Sequence, residues 1–137
     1  MEKIGCICMM SGLVKAMAAL ENSLMDIHGI SLNEAVVLCC IGDSEVSAGA
    51  VADSTGLKPS HISKILKGLE AGGLVARALG SEDRRQMYFS LTPEGRSRLE
   101  KLRTRQIPIP ALLAPLTVLL APLTAEPSPS APSLPGQ

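Results

Sequence analysis

The hydrophobic period changes twice between Pro59 and Arg105, and that double change limits the folds open to this chain. From Pro59 to about Ala71 the apolar residues Ile62, Ile65, Leu66 and Leu69 recur at three and four, which marks one side of a helix. Gly72-Gly73 ends it. Leu74 to Leu79 and Gln86 to Leu91 are short β-prone runs, joined by Gly80-Ser81-Glu82-Asp83-Arg84-Arg85. That pattern predicts a hairpin with a charged loop. Thr92-Pro93 then caps and opens another helix, Glu94 to about Arg105.

Four helices are predicted to precede the hairpin, the last being the one that opens at Lys58-Pro59-Ser60. Pro at a first helical position is tolerated because its missing N–H has no partner there. Residues 3–28 carry Ile7, Met10, Leu13, Val14, Met17, Leu20, Leu24 and Ile27 three or four apart, one stripe along a long helix that Gly29 stops. Ser31-Leu32-Asn33-Glu34 is a capping box for a second helix, which runs to about Ile41 before the Gly42-Asp43 turn. Ser47 caps a short third helix, Ala48 to Ser54, ended by Gly56. The third and fourth helices are joined by a tight Gly-containing turn, and the fourth has an apolar back and a polar, basic front. The fold class is therefore α+β, mostly α: a winged helix-turn-helix with a long N-terminal helix.

At 137 residues the chain suits one domain plus an appendage. One Tyr, one Phe and no Trp argue against a base-stacking RNA platform or an aromatic sugar cleft. The formal net charge is zero, but residues 1–57 hold two Lys against seven acids, and residues 58–105 hold eleven Lys/Arg against five. The first stretch is at −5 and the second at +6. Such asymmetry points to one face made for a polyanion.

The fourth helix and the loop of the hairpin carry that face. Ser60, His61, Ser63 and Lys64 are short or flexible donors of a size to reach major-groove base edges. Lys58, Lys67 and Arg84 are expected to contact mainly phosphate, which gives affinity without sequence information. Arg85 on a narrow loop suits the negative potential of a minor groove. Asp83 is expected to pair with a nearby arginine and fix its direction, with Arg77 on the first strand a further partner. The expected partner is double-stranded DNA.

Three strings add a resemblance: Gly73-Leu74-Val75-Ala76-Arg77, Ser81-Glu82-Asp83-Arg84-Arg85 and Leu91-Thr92-Pro93-Glu94-Gly95. Through them residues 31–103 resemble the MarR family of bacterial winged helix-turn-helix regulators, whose Asp-x-Arg wing motif Asp83 and Arg85 match. The resemblance implies Lys58 to Glu70 as the recognition helix and Arg85 as the wing-tip residue. It also implies a cytoplasmic homodimer on a pseudo-palindromic operator, most often a repressor released by a small-molecule inducer or by oxidation. In the family the first and last helices of both subunits interleave to make the dimer. This chain departs there, because eight of its ten prolines lie after Gln106. The resulting division is residues 1–30 as a dimerisation helix, 31–92 as the DNA-binding domain and 93–105 as a C-terminal helix. Residues 106–137 form a Pro-rich tail, apolar from Ile109 to Ala125 and then disordered. The apolar stretch is too short and Pro-broken for a good membrane span.

Other features carry less. Glu2 and Lys15 spoil an N-terminal signal peptide. Cys6 and Cys8 are candidate redox residues, since some family members sense oxidants through an N-terminal cysteine, but only Lys3 is basic nearby. Cys39-Cys40 lies in an apolar run, where cysteine is expected to act as a small buried hydrophobe. No metal set, phosphate loop or catalytic constellation is legible, so no cofactor, metal or enzymatic activity is expected. The rival reading is a winged helix used as a protein–protein module, its basic face on an acidic partner.

Overall fold

The computed structural model describes residues 7–80 and 85–105, followed by 107, 108, 110, 111 and 113–115. The chain divides into two units, one of residues 21–107 and one of residues 1–20 with 108–137. In the latter, Ile7–Met10 forms a 3-10 turn before helix α1, Ser11–His28, begins. The expected helix start at residue 3 falls outside the described residues. The stretch from Ile7 to Met10 is 3-10 rather than α, a common form for the turn entering a helix. Among the described residues of this unit, Ala16 and Leu113 are buried.

Residues 21–107 hold the rest, and capping chemistry sets most of the helix ends. Gly29, at φ +66°, follows α1 and donates its N–H to the Met25 carbonyl at 2.8 Å. Helix α2, Leu32–Ile41, opens on the expected capping box. The Glu34 N–H donates to Ser31 Oγ at 3.1 Å, and the Ser31 N–H donates to Glu34 Oε1 at 3.2 Å. Val37, Leu38 and Ile41 bring α2 to the centre of the core. That phase turns Val36 and Cys39 outward, so Cys39 is exposed and only Cys40 packs partly against the core. The expectation of two buried hydrophobes is corrected on this point.

A strand of two residues, β1 (Val46–Ser47), follows; its shortness hides it from any reading of alternation. Ser47 also caps helix α3, Ala48–Thr55, accepting from the Ala50 N–H at 3.1 Å. Gly56, at φ +76°, makes the left-handed turn towards helix α4, Pro59–Ala71. Ile62, Ile65, Leu66 and Leu69 are all buried, as the stripe predicts. The end of α4 is a Schellman motif: the Leu74 N–H reaches the Leu69 carbonyl at 2.9 Å, and that of Gly73 reaches Glu70 at 3.0 Å.

Strand β2, Val75–Leu79, and strand β3, Met87–Leu91, form the hairpin, with Val75 opposite Leu91 and Arg77 opposite Phe89. Strand β1 pairs antiparallel on the other edge of β3, giving the order β1-β3-β2. Helix α5, Pro93–Thr104, begins at Thr92, whose Oγ1 accepts from the Gly95 N–H at 3.0 Å and donates to the Gly73 carbonyl at 2.6 Å. A Cβ on Gly95 would fall on the Leu74 carbonyl oxygen. The Leu-Thr-Pro-Glu-Gly string thus clamps the base of the hairpin to the start of α5. Helices on one side and a small antiparallel wing on the other make the expected winged helix-turn-helix.

Candidate nucleic-acid interface

The turn between α3 and α4 is held by short bonds. Thr55 Oγ1 donates to the Val51 carbonyl at 2.8 Å and accepts from the Leu57 N–H at 3.3 Å. Leu57 packs against the core, which fixes where α4 begins. Lys58 is the N-cap but offers no side-chain hydrogen bond, so no side chain claims the N–H groups at the start of α4. Pro59 has no N–H, and those of His61 and Ile62 donate to the Lys58 carbonyl at 2.9 and 3.0 Å, so this start offers an anion the Ser60 N–H and the partial positive charge of the helix end.

With four apolar side chains buried behind it, the front of α4 is open. Lys58, Ser60, His61, Ser63, Lys64 and Lys67 are all exposed. Helical phase puts Ser60, Lys64 and Lys67 along the crest, with Ser63 and His61 on opposite flanks. Ser63 and Lys67 border a depression shared with Ala48, Arg77 and Phe89, on the wing side. His61 and Lys64 instead border a groove with Glu21, Ser31, Asn33 and Glu34. The predicted donors therefore share one helix face but flank two different hollows, and His61 lies farthest from the wing.

Arg85 is exposed where the described part of the wing resumes. It lines a second hollow with Ser47 and Gly49 at the start of α3 and with Arg77, Met87 and Phe89 of the sheet. Asp83 and Arg84 lie outside the described residues, as does Cys6. Cys8 is exposed. Among the described residues no group of three or more His, Cys, Asp or Glu is placed to hold a metal ion. Among the same residues no single helix is long and apolar enough to cross a membrane.

The expected partner of Arg77 is Asp83, but its described partner is Glu70. Arg77 Nε donates to Glu70 Oε2 at 2.6 Å and Nη2 donates to Oε1 at 2.7 Å, a two-bond fork on the solvent side. The hydrogen bonds from Arg77, with its charge and that of Lys67, hold the Glu70 carboxyl below the usual carboxylate range. Glu70 in turn raises the Arg77 guanidinium. Sequence reasoning misses this pair. Its one signal is an acid and a base on either side of a Gly-Gly turn, seven residues apart.

The model of the MarR family matches residues 28–86. Curated relatives include YhjH, an uncharacterized HTH-type transcriptional regulator of Bacillus subtilis (strain 168), 31% identical over 91 residues. That alignment covers 62% of this chain and 52% of YhjH. ExpG, the exopolysaccharide II synthesis transcriptional activator of Rhizobium meliloti (strain 1021), is 32% identical over 93 residues, 68% of this chain and 46% of ExpG. The chain spans about half the length of the curated relatives it matches. Among solved structures, Bordetella bronchiseptica BpsR, whose DNA binding is regulated by 6-hydroxynicotinic acid, has a TM-score of 0.66 at 21% identity. The match covers 91% of this chain and 96% of that one. The fold and the family read from the residues are those the comparisons return.

Proposed function

We propose that this chain, whose residues 28–86 match the model of the MarR family, binds duplex DNA sequence-specifically as a homodimer through its winged helix-turn-helix and regulates transcription. The single observation that carries this reading is the front of α4. An uncapped helix start and an exposed row of hydroxyls and cations lie opposite a fully buried apolar stripe, beside the wing. In this reading α4 enters the major groove. Ser60, His61, Ser63 and Lys64 meet base edges or the adjacent phosphates. Lys58, Lys67 and Arg84 take phosphate, and Arg85, directed by Asp83, takes the minor groove.

The dimer, on a pseudo-palindromic site, belongs to the same proposal, as do repression and release by a small molecule or an oxidant acting at Cys6 or Cys8. BpsR supports ligand release, because a small molecule regulates its DNA binding. ExpG is an activator, so the sign of regulation is decided by a reporter assay rather than by the domain.

The test is a titration of the protein into labelled DNA from upstream of its own gene, with competitor DNA, at two salt concentrations. Sequence-selective binding is expected, weakening with salt by about 0.9 in the log–log slope for each phosphate neutralised. Weak binding indifferent to sequence would overturn the reading and favour the protein–protein module.

A further inference from the structure

The chain already ties α4 to the wing at its base, through the Schellman turn and the bond from Thr92 to the Gly73 carbonyl. The Glu70–Arg77 pair is a second tie, on the solvent side of that joint. Local stability does not account for it. Glu70 stands in the last turn of α4, where the helix dipole disfavours an acid. An exposed ion pair adds little to folding. A carboxylate near Lys67 would also repel phosphate. What the pair does supply is direction, because two parallel bonds fix the orientation of a guanidinium as well as its distance. Arg77 lines the hollow shared with Ser63 and Lys67 and also the one shared with Arg85, so its placement touches both halves of the interface.

We propose that Glu70 and Arg77 are positioning residues for DNA recognition. Their two-bond pair sets the angle of the wing against α4, and so the place of Arg85 relative to Ser60, Ser63 and Lys64. The inference rests on the DNA-binding reading above. It makes a prediction opposite in sign to simple electrostatics. Glu70→Gln removes a negative charge from a DNA-binding face, yet it should weaken specific binding, because glutamine cannot hold the charged fork. Arg77→Lys keeps the charge but loses the fork and should act in the same direction.

The experiment uses the full chain and the operator fragment that the parent selects, with unrelated DNA of equal length measured alongside. Both variants should lose about two- to fivefold in affinity for the operator, the span open to an exposed pair of this kind. Affinity for unrelated DNA should stay level or rise slightly for Glu70→Gln, so the ratio of specific to non-specific binding falls. A purely structural role would lower the melting temperature without moving that ratio. The exchanged variant, Glu70→Arg with Arg77→Glu, should recover part of the ratio. If the parent selects its operator and both single variants match it, the inference fails and the DNA reading stands. Should Glu70→Gln fail to fold while Arg77→Lys folds and binds like the parent, the inference fails as well. A parent that selects no sequence overturns the DNA reading and this inference with it.

Discussion

Helices α4 and α5 look alike in the sequence and are set differently in the fold. Each opens with Pro at its first position and each runs for about three turns, 13 residues against 12. By charge alone α5 is the better candidate for DNA, with Arg96, Arg98, Lys101 and Arg103 against Lys64 and Lys67 of α4. The structure separates them by setting rather than by exposure, since each keeps most of its residues on the surface. Helix α5 is tied down at Thr92, at Gly95 against Leu74, and at Arg98, whose guanidinium donates to the His28 carbonyl at 3.1 Å. Helix α4 is held by its buried stripe and, at its C-terminal end, by the Schellman turn and the Glu70–Arg77 pair, and a depression lies on either side of its front. On the proposed DNA-binding reading, position beside the wing rather than cation number selects α4.

The backs of the two helices should be equivalent, and breaking either should cost most. Leu66→Ala on α4 leaves a cavity in the core and should destabilise by about 2–5 kcal/mol in denaturant unfolding. Gly95→Ala on α5 drives a methyl into backbone rather than into a flexible side chain, and should cost about 1–3 kcal/mol by the same measurement. An unchanged unfolding midpoint in Gly95→Ala would mean that the hairpin base is not clamped as described.

On the wing, Arg85→Ala should weaken operator binding by about 1–3 kcal/mol in the labelled-DNA titration. The starts of the helices differ in kind. Thr92→Ala removes a cap and should cost about 1 kcal/mol in stability. Lys58→Ala removes no side-chain cap and should leave stability unchanged, its loss appearing only in DNA affinity.

The fronts give the sharpest contrast for a single charge. Lys67→Ala should reduce the salt dependence of DNA binding by about one unit of slope, whereas Lys101→Ala should leave the slope untouched. Equal reductions would show that charge, not position, governs binding. The smallest effect is that of pH on the Glu70–Arg77 pair. Because Arg77 depresses the Glu70 pKa, the pair's contribution is fully present above the ordinary carboxylate pKa and is lost only as pH falls through the depressed value. A carbon-detected NMR titration of Glu70 should find its midpoint below the usual range, and Arg77→Ala should return it there.

Helix α4 is legible along the chain because its evidence is local. The spacing of Ile62, Ile65, Leu66 and Leu69 states which side is buried, and the remaining positions follow by helical geometry. Ser31 with Glu34, Ser47 and Thr92 announce three helix starts for the same reason: a cap acts within three residues. The exposure of Cys39 is not legible, because an unbroken apolar run has no phase to read. Strand β1 is hidden as well, because Val46 and Ser47 are strand only through their pairing with Phe89 and Tyr88, some forty residues away.

By itself, then, the sequence determined the order of the five helices and the hairpin, though not β1, together with the side of α4 that faces the core and the basic half of the domain, since all of these follow from neighbours along the chain. The tertiary structure alone decided that Glu70 meets Arg77 across the turn and that Gly95 lies against Leu74. It also decided that α4 rather than the more cationic α5 borders the wing-side hollow with Arg77 and Phe89. Those outcomes depend on which elements come to lie side by side, and the energies that choose them act between residues whose separation along the chain carries no signal of their contact.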